Sequence, residues 1–319
     1  MRPLSLVFSE LSFFLAKKVK QVKFVDRTFN ADKEHAISIW KYLKEHDNGV
    51  TNFHFEIAAD TIDDEEISLL SSMRPGLVQL EIGVQTANPD TLRAIHRNPD
   101  LSQIRKVSSA IIKGRNVHVH LDLIAGLPHE DYSSFKNSFN EVYNMKPDQL
   151  QLGFLKVLKG TEIDIRKEEY GLRFTATPPY EVLSTNLLSY GDICLLKDIS
   201  KVLEDYYNSA QFTKTLPILT ALYDTPFDFY ERLAKFYREN GYFIVTPARS
   251  RRYEILLDYV QRYHGEVCES VLDSLTIDYY LREKPKAKPA FVQKVPSLSL
   301  IDYTSKDPIT GNFRLCENS

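Results

Sequence analysis

The chain has 319 residues, about two average domains or one α/β barrel with a smaller appendage. Hydrophobic residues make up 43% and charged residues 26%, an ordinary globular balance that excludes a disordered chain, a collagen-like chain and a disulfide scaffold. With 40 Lys plus Arg against 43 Asp plus Glu, the net charge of −3 gives no bulk attraction to nucleic acid or to anionic membrane, so neither is expected as a partner.

No apolar run approaches the ~20 residues that cross a bilayer. The start lacks the basic, apolar and small-residue blocks of a signal peptide, and a cytoplasmic location is expected. Cys194, Cys268 and Cys316 lie 74 and 48 residues apart. That is neither a zinc nor an iron–sulfur spacing, and free thiols in a reducing compartment are the simple reading.

In chain order, strand-like segments are expected at Val22–Asp26, Phe53–Ile57, Val78–Gln85, Val117–Ile124 and Leu150–Val157. Helix-period segments separate them. Over Asp32–His46, Ala36, Ile39, Trp40 and Leu43 share one face. Asn88-Pro89-Asp90 opens a second helix with a capping side chain and Pro at the first helical position. Asp131–Met145 is a third. Strands alternating with helices imply βαβ units and a parallel sheet. Thr175–Pro179 is a turn-rich boundary, after which the chain reads mostly helical. Thr225-Pro226-Phe227-Asp228 starts a helix and Gly241 stops it, and Arg249–Tyr263 and Glu266–Leu281 are two more. The expected division is a barrel over 1–176, a helical domain over 177–282, and over 283–319 a charged linker and a tail whose lack of periodic pattern implies poor anchoring. Most of the 18 tyrosines fall in the helical part, where aromatics at helical spacing read as core.

The alternation within the strands carries the functional signal. One face collects His54, Glu56, Gln79, Glu81, Gly83, Gln85, His118, His120, Asp122, Gln151 and Gly153. The other carries Phe53, Phe55, Leu80, Ile82, Val119, Leu121, Leu150 and Leu152. An open parallel sheet covered on both sides is apolar on both faces. A closed barrel with helices outside and a polar lumen fits better, the alternative being a one-sided sheet with its polar face in water. His118-x-His120-x-Asp122 puts three possible ligands for zinc, iron or manganese on one strand face, which keeps a metal-dependent hydrolase open as an alternative. A hydrogen-bonded lumen network is the competing reading. No G-x-S-x-G elbow, phosphate-binding loop or dinucleotide fingerprint is present.

Three segments resemble a known family. Leu80-Glu81-Ile82-Gly83-Val84-Gln85-Thr86-Ala87-Asn88-Pro89-Asp90-Thr91-Leu92 resembles the fourth-strand motif of radical S-adenosylmethionine (SAM) enzymes. Asp122-Leu123-Ile124-Ala125-Gly126-Leu127-Pro128 resembles their fifth-strand motif, as in oxygen-independent coproporphyrinogen oxidase. Phe24-Val25-Asp26-Arg27-Thr28-Phe29-Asn30 looks like the second-strand motif of the cobalamin-associated branch. The resemblance covers about Leu4 to Thr161, and it implies a partial (β/α) barrel lacking its first strand, followed by a mostly helical C-terminal domain.

The resemblance also implies an iron–sulfur oxidoreductase or methyltransferase that cleaves SAM at a [4Fe-4S] cluster to a 5′-deoxyadenosyl radical, with cobalamin as a further cofactor of the longer protein. Residue by residue, it implies Glu56 near SAM and Gln85 at the ribose or methionyl end. Arg97 is implied on the SAM carboxylate and Asp122 on the ribose hydroxyls. The Ile124–Gly126 backbone would flank the adenine, and Asp26 and Thr28 would lie near the methionyl amine. The plain readings are a lumen hydrogen-bond network without ligand for Glu56, Gln85 and Asp122, and a helix-end charge for Arg97. A non-catalytic binding protein that kept the fold is the other alternative.

The family's C-x-x-x-C-x-x-C cluster loop is absent from these residues. The chain is therefore expected to be the back part of a larger enzyme, inactive in radical formation by itself. Its second-strand edge is expected to be covered by another segment or another copy of the chain.

Overall fold

The computed structural model describes residues 1–265, 268–283, 288–292 and 301–315. Of the segments singled out above, Glu266, Val267, residues 284–287 of the charged linker, and residues 293–300 and 316–319 of the tail, Cys316 among them, lie outside the described residues. Two compact units divide at Leu187/Leu188.

The first unit runs α1 (Leu4–Ala16), β1 (Gln21–Lys23), α2 (Lys33–Glu45), β2 (Asn52–Ile57), α3 (Asp64–Ser71), β3 (Val78–Gln85), α4 (Pro89–Ala94), α5 (Leu101–Gly114), β4 (His118–Ala125), α6 (Tyr132–Tyr143), β5 (Gln149–Phe154), α7 (Glu162–Ile165), β6 (Arg173–Phe174) and β7 (Val182–Ser184). Strands β1 to β5 form one parallel sheet in sequence order, the partial barrel that the family resemblance implies rather than the closed barrel expected of the alternating pattern. Helix starts follow side-chain caps. Asp32 accepts from His35 N at 2.9 Å, Asp63 and Glu66 form a capping box, and Asn88 caps α4 with Pro89 at its first position.

The apolar strand face is fully buried: Phe53, Phe55, Val78, Leu80, Val119, Leu121, Leu123 and Leu150 have no exposed surface. Each such side chain contributes roughly 1.5–3 kcal/mol of hydrophobic stabilisation. Helix α2 packs Ala36, Ile39, Trp40 and Leu43 on this side, and Trp40 meets Phe55 edge to face at 6.1 Å between ring centroids. The polar face is left to line the lumen.

Strand β1 is shorter than the expected Val22–Asp26. Phe24 N donates to His54 O at 2.9 Å and Asn52 N donates to Lys20 O at 2.9 Å, so the intervening Gln21 and Lys23 turn their backbone groups to the outer edge. Beyond β5 the chain returns. Val182 N donates to Leu155 O at 2.8 Å and Val157 N to Tyr180 O at 2.9 Å, which lays residues 180–182 antiparallel along the continuation of β5.

The second unit contains α8 (Tyr190–Leu203), a one-turn π extension (Glu204–Asn208), α9 (Thr215–Thr220), α10 (Pro226–Glu239), α11 (Arg251–His264), α12 (Glu269–Arg282), β8 (Ile301–Lys306) and β9 (Phe313–Leu315). Tyr206, Tyr230, Tyr237, Tyr253 and Tyr259 are wholly buried, and Tyr206 and Tyr237 share an Oη–Oη hydrogen bond of 2.6 Å. These tyrosines are core, as their spacing suggests, whereas Tyr190 at the start of α8 is exposed. Buried Asp278 accepts from Lys214 N (2.9 Å), Thr215 N (2.8 Å) and Thr215 Oγ1 (2.7 Å), closing the start of α9 onto α12.

The tail corrects the sequence expectation. It has no periodic pattern, yet its described part forms the β8–β9 hairpin. Asn312 Nδ2 donates to Ala210 O at 2.7 Å, and Arg282 Nη1 donates to Thr310 O at 2.9 Å. Ile301 and Val292 pack with Tyr280 and Leu281. A few aromatic and amide anchors hold it, and such contacts leave no period in the sequence.

Candidate functional site

Parallel register stacks the lumen side chains in layers. The lowest joins Lys23, His54, Gln79 and His118. The next joins Glu56, Glu81, His120 and Gln149, and above it lie Gly83, Asp122 and Gln151. A bulge between Gly83 and Gln85 then ends β3, where Gln85 adopts φ +70°.

Glu81 is the electrostatic centre of the lumen. Lys23 Nζ lies 3.0 Å and His54 Nε2 2.8 Å from its Oε2. Burial works against its charge, but Lys23, His120 and His54 together hold its carboxyl below the usual range. Its neighbours move the other way. Burial, then the charges of Glu81 and Asp122, raise Glu56. Burial raises Asp122 as well, against the pull of His120. Burial lowers both His54 and His118, so these rings favour the neutral form. Three carboxylates in one lumen, two of them pushed up, describe a pocket whose negative potential a cationic ligand would relieve.

Several buried polar atoms here lack an aligned protein partner. They are Gln85 Oε1, Asp122 Oδ1 and both ring nitrogens of His120. His120 Nε2 approaches Asp122 Oδ1 to 2.9 Å, close enough for a charge contact but poorly aligned for a hydrogen bond. Unsatisfied acceptors on the cavity side are what a ligand carrying hydroxyl or amine donors would complete.

Two cavities open at the C-terminal ends of the strands. One, of about 230 Å³, is lined by Thr28, Glu56, Gly83 and Arg97. The other, of about 550 Å³, is lined by Gln85, Asp122, Ile124, Gln151, Lys156 and Glu181. Gly83 stands where Arg97 and Gln85 converge. Arg97 Nη1 donates to Gly83 O at 3.0 Å, and a Cβ at Gly83 would collide with Gln85 Nε2. The candidate residues thus divide between the cavities: Thr28, Glu56 and Arg97 in one, Gln85, Asp122 and Ile124 in the other. Asp26 is exposed and lines, with Thr28, a third groove of about 390 Å³ beside α1. Gly126 lines neither strand-end cavity. At φ +87° it passes under Val182, whose Cγ1 lies 2.7 Å from where a Cβ would stand.

The metal alternative does not hold. Among the described residues no group of three or more His, Cys, Asp or Glu side chains could hold an ion. His118 and Asp122 are four strand residues apart, roughly 13 Å at the rise of an extended chain, too far to converge on one cation. His118 instead interacts with Asp148 and Gln149. The cysteines do not fit an iron–sulfur cluster either. Cys194 is half-buried and Cys268 exposed, both free, and they lie in the second unit.

Sequence reasoning placed Glu81 on the lumen face but did not single it out, although its same-face spacing with His54 was the available signal. Lys156 and Glu181 carried no signal, because the antiparallel return of residues 180–182 brings them to the cavity.

Comparison with known proteins gives two family matches. Residues 4–142 match the radical SAM superfamily, and residues 168–303 match a family described as a protein of unknown function (DUF4080). The oxygen-independent coproporphyrinogen-III oxidase-like protein HemZ of Bacillus subtilis (strain 168) is 29% identical over 112 residues. That alignment covers 35% of this chain and 22% of HemZ, so the chain spans under a quarter of that relative's length. Among solved structures, the radical SAM methyltransferase TsrM from Kitasatospora setae, with cobalamin and a [4Fe-4S] cluster bound, gives a TM-score of 0.46 at 16% identity. It covers 55% of this chain and 33% of TsrM. Coproporphyrinogen III oxidase (HemN) from Escherichia coli gives 0.37 at 20% identity, over 46% of this chain and 37% of HemN.

Proposed function

We propose, for a chain whose residues 4–142 match the radical SAM superfamily, that the first unit binds S-adenosylmethionine at the C-terminal ends of β2 to β4. The observation that carries this reading is the pair of unsatisfied buried acceptors, Gln85 Oε1 and Asp122 Oδ1, at the cavity of about 550 Å³. Asp122 would accept from ribose hydroxyls and Gln85 would meet the ribose or methionyl end. The backbone of Ile124 would flank the adenine, and Gly126 would keep that turn close-packed beneath Val182. The exposed guanidinium of Arg97 suits a carboxylate, and Glu56, Asp26 and Thr28 would lie toward the amine. The carboxylates Glu56, Glu81 and Asp122 favour the positive sulfonium.

In this superfamily bound SAM supplies a 5′-deoxyadenosyl radical after reductive cleavage at a [4Fe-4S] cluster. The three cysteines here do not suit that cluster, so the residues of this chain are assigned binding and orientation only. The parent activity is proposed as a SAM-dependent oxidoreductase or methyltransferase, with cobalamin as a further cofactor and the cluster ligands supplied from outside these residues. No described helix is long and apolar enough to cross a membrane. A reducing, cytoplasmic setting is proposed from the free thiols of Cys194 and Cys268.

Titration calorimetry of SAM into the chain tests the reading. Binding is expected, weakened about 3- to 30-fold by Asp122→Asn or Gln85→Ala, the loss of one hydrogen bond to a ligand. No heat from a chain whose Trp40 fluorescence reports a native core would refute it.

A further inference from the structure

Gln85 is a strained residue. A non-glycine side chain at φ +70° costs roughly 1–3 kcal/mol and persists only where the surroundings enforce it. What enforces it is the turn that follows. Thr86 N donates to Val84 O at 3.0 Å, Asn88 N to Thr86 Oγ1 at 2.9 Å and Ala87 N to Ser138 Oγ at 3.0 Å. Asn88 Nδ2 reaches His129 O (3.0 Å) and Ser134 Oγ (2.8 Å). The two hydroxyls at the centre of this network share one acceptor: Thr86 Oγ1 donates to Glu130 Oε1 at 2.5 Å and Ser138 Oγ at 3.0 Å. Glu130 has no exposed surface, and its Oε2 has no partner.

The proton order of this network follows from donor chemistry. An ionised carboxylate only accepts, so both hydroxyls must donate to it. Each hydroxyl oxygen is then free to accept a backbone N–H, Ala87 on Ser138 and Asn88 on Thr86. We propose that Glu130 is a positioning residue for Gln85: its buried carboxylate fixes the turn that holds the Gln85 amide at the larger cavity, and fixes it more tightly when ionised. The ligand arm of this inference rests on the SAM reading above.

Thr86 and Ser138 hold the carboxyl lower than burial alone would, so in an opening that breaks those two bonds and leaves Glu130 buried, ionisation strengthens them and protonation weakens them. The two bonds to Oε1 lose their charge assistance, and a proton on Oε2 finds no acceptor. Burial, opposed by Thr86 and Ser138, pushes the Glu130 carboxyl up to about 7, and the like charge of Asp131 adds to the rise. The neighbours on the other sides, Thr86, Asn88, Ser134 and Ser138, are uncharged, and the His129 ring packs edge-on against Tyr170 at 5.6 Å. The tightening therefore falls near neutral pH.

Amide exchange at Ala87 and Asn88, corrected for intrinsic rates, tests the turn without any ligand. Between about pH 6 and about pH 8 protection is expected to rise about five- to tenfold, the difference between neutral and charge-assisted bonds. Glu130→Gln should remove that pH dependence. SAM affinity measured in parallel should rise with pH by a similar factor in the native chain and stay flat in Glu130→Gln. Matching pH profiles for the native chain and the variant, or protection that falls as pH rises, the sign of an opening that hydrates Glu130, would overturn the proposal. An exchange switch with no SAM binding would sink the SAM reading while the positioning role stands. If Glu130→Gln does not fold, Ser138→Ala serves. Losing one donor to the carboxylate should move the exchange midpoint to higher pH, and an unmoved midpoint would refute the role.

Discussion

Substituting Gly126 by Ala isolates how the turn after β4 is built. Two costs arise. The residue sits at φ +87°, which for an L side chain costs roughly 1–2 kcal/mol. The new Cβ would also lie 2.7 Å from Val182 Cγ1 and 3.2 Å from its Cγ2, inside contact distance of a fully buried side chain. Overpacking of that kind costs about 1–3 kcal/mol. Gly126→Ala is therefore expected to lose about 2–5 kcal/mol. Val182→Ala removes the obstructing methyls at a cost of its own, about 1–3 kcal/mol for a buried valine. In the double variant only the backbone cost of Gly126→Ala should remain, so the pair should be less destabilised than the sum by about 1–3 kcal/mol. Urea unfolding followed by fluorescence suits the measurement, because Trp40 is the chain's single tryptophan and is wholly buried in the first unit. Additive effects of the two substitutions would refute the close approach of residues 180–182 to the end of β4. A neutral Gly126→Ala would refute the left-handed turn itself.

Other outcomes are open to direct test. Glu81→Gln should lower the titration midpoints of both Glu56 and Asp122, because the charge of Glu81 raises each; carboxyl infrared or NMR titration reads this, and unchanged midpoints would place Glu81 elsewhere. Asp278, raised from 3.8 to about 6, contributes stability that is complete below about pH 3.8 and lost as pH rises through about 6. That amounts to about 3 kcal/mol. The stability difference between Asp278→Asn and the native chain should change by most of that amount, about 2.4 kcal/mol, between about pH 4 and pH 7, followed by the near-UV dichroism of the buried tyrosines. A pH-independent difference would contradict the raised midpoint. The outer edge of β1 is proposed to be covered by another segment or another copy, so the outward amides of Gln21 and Lys23 should exchange slowly. Rapid exchange there in a folded monomer would contradict that cover.

The legible parts of this protein are those written locally. Each strand of the first unit alternates with period two, so the pattern alone assigns Leu80 and Ile82 to the helix side, and Glu81 and Gln85 to the lumen. Caps at Asp32, Asn88, Asp131 and Thr225 mark helix starts within a residue, because a capping side chain bonds an amide only two or three positions away. The motifs around Gln85 and Asp122 point to the region where the two strand-end cavities lie. The separation of Asp26 and Gly126 from those cavities is not legible, since a motif names neighbours in sequence and not their orientation.

By itself the sequence determined the parallel order, the polarity of the lumen and the absence of a cysteine cluster loop, since all three depend on residue identity and short spacing. Tertiary structure decided the rest. The carboxylate that dominates the lumen is Glu81 because register sets it beside Lys23 and His54. Glu130 became a buried hub because Thr86 and Ser138, 52 residues apart, converge on it. The tail is anchored because Asn312 finds Ala210, 102 residues away. Such contacts are set by packing across the fold, where desolvation decides each charge, and no local pattern records them.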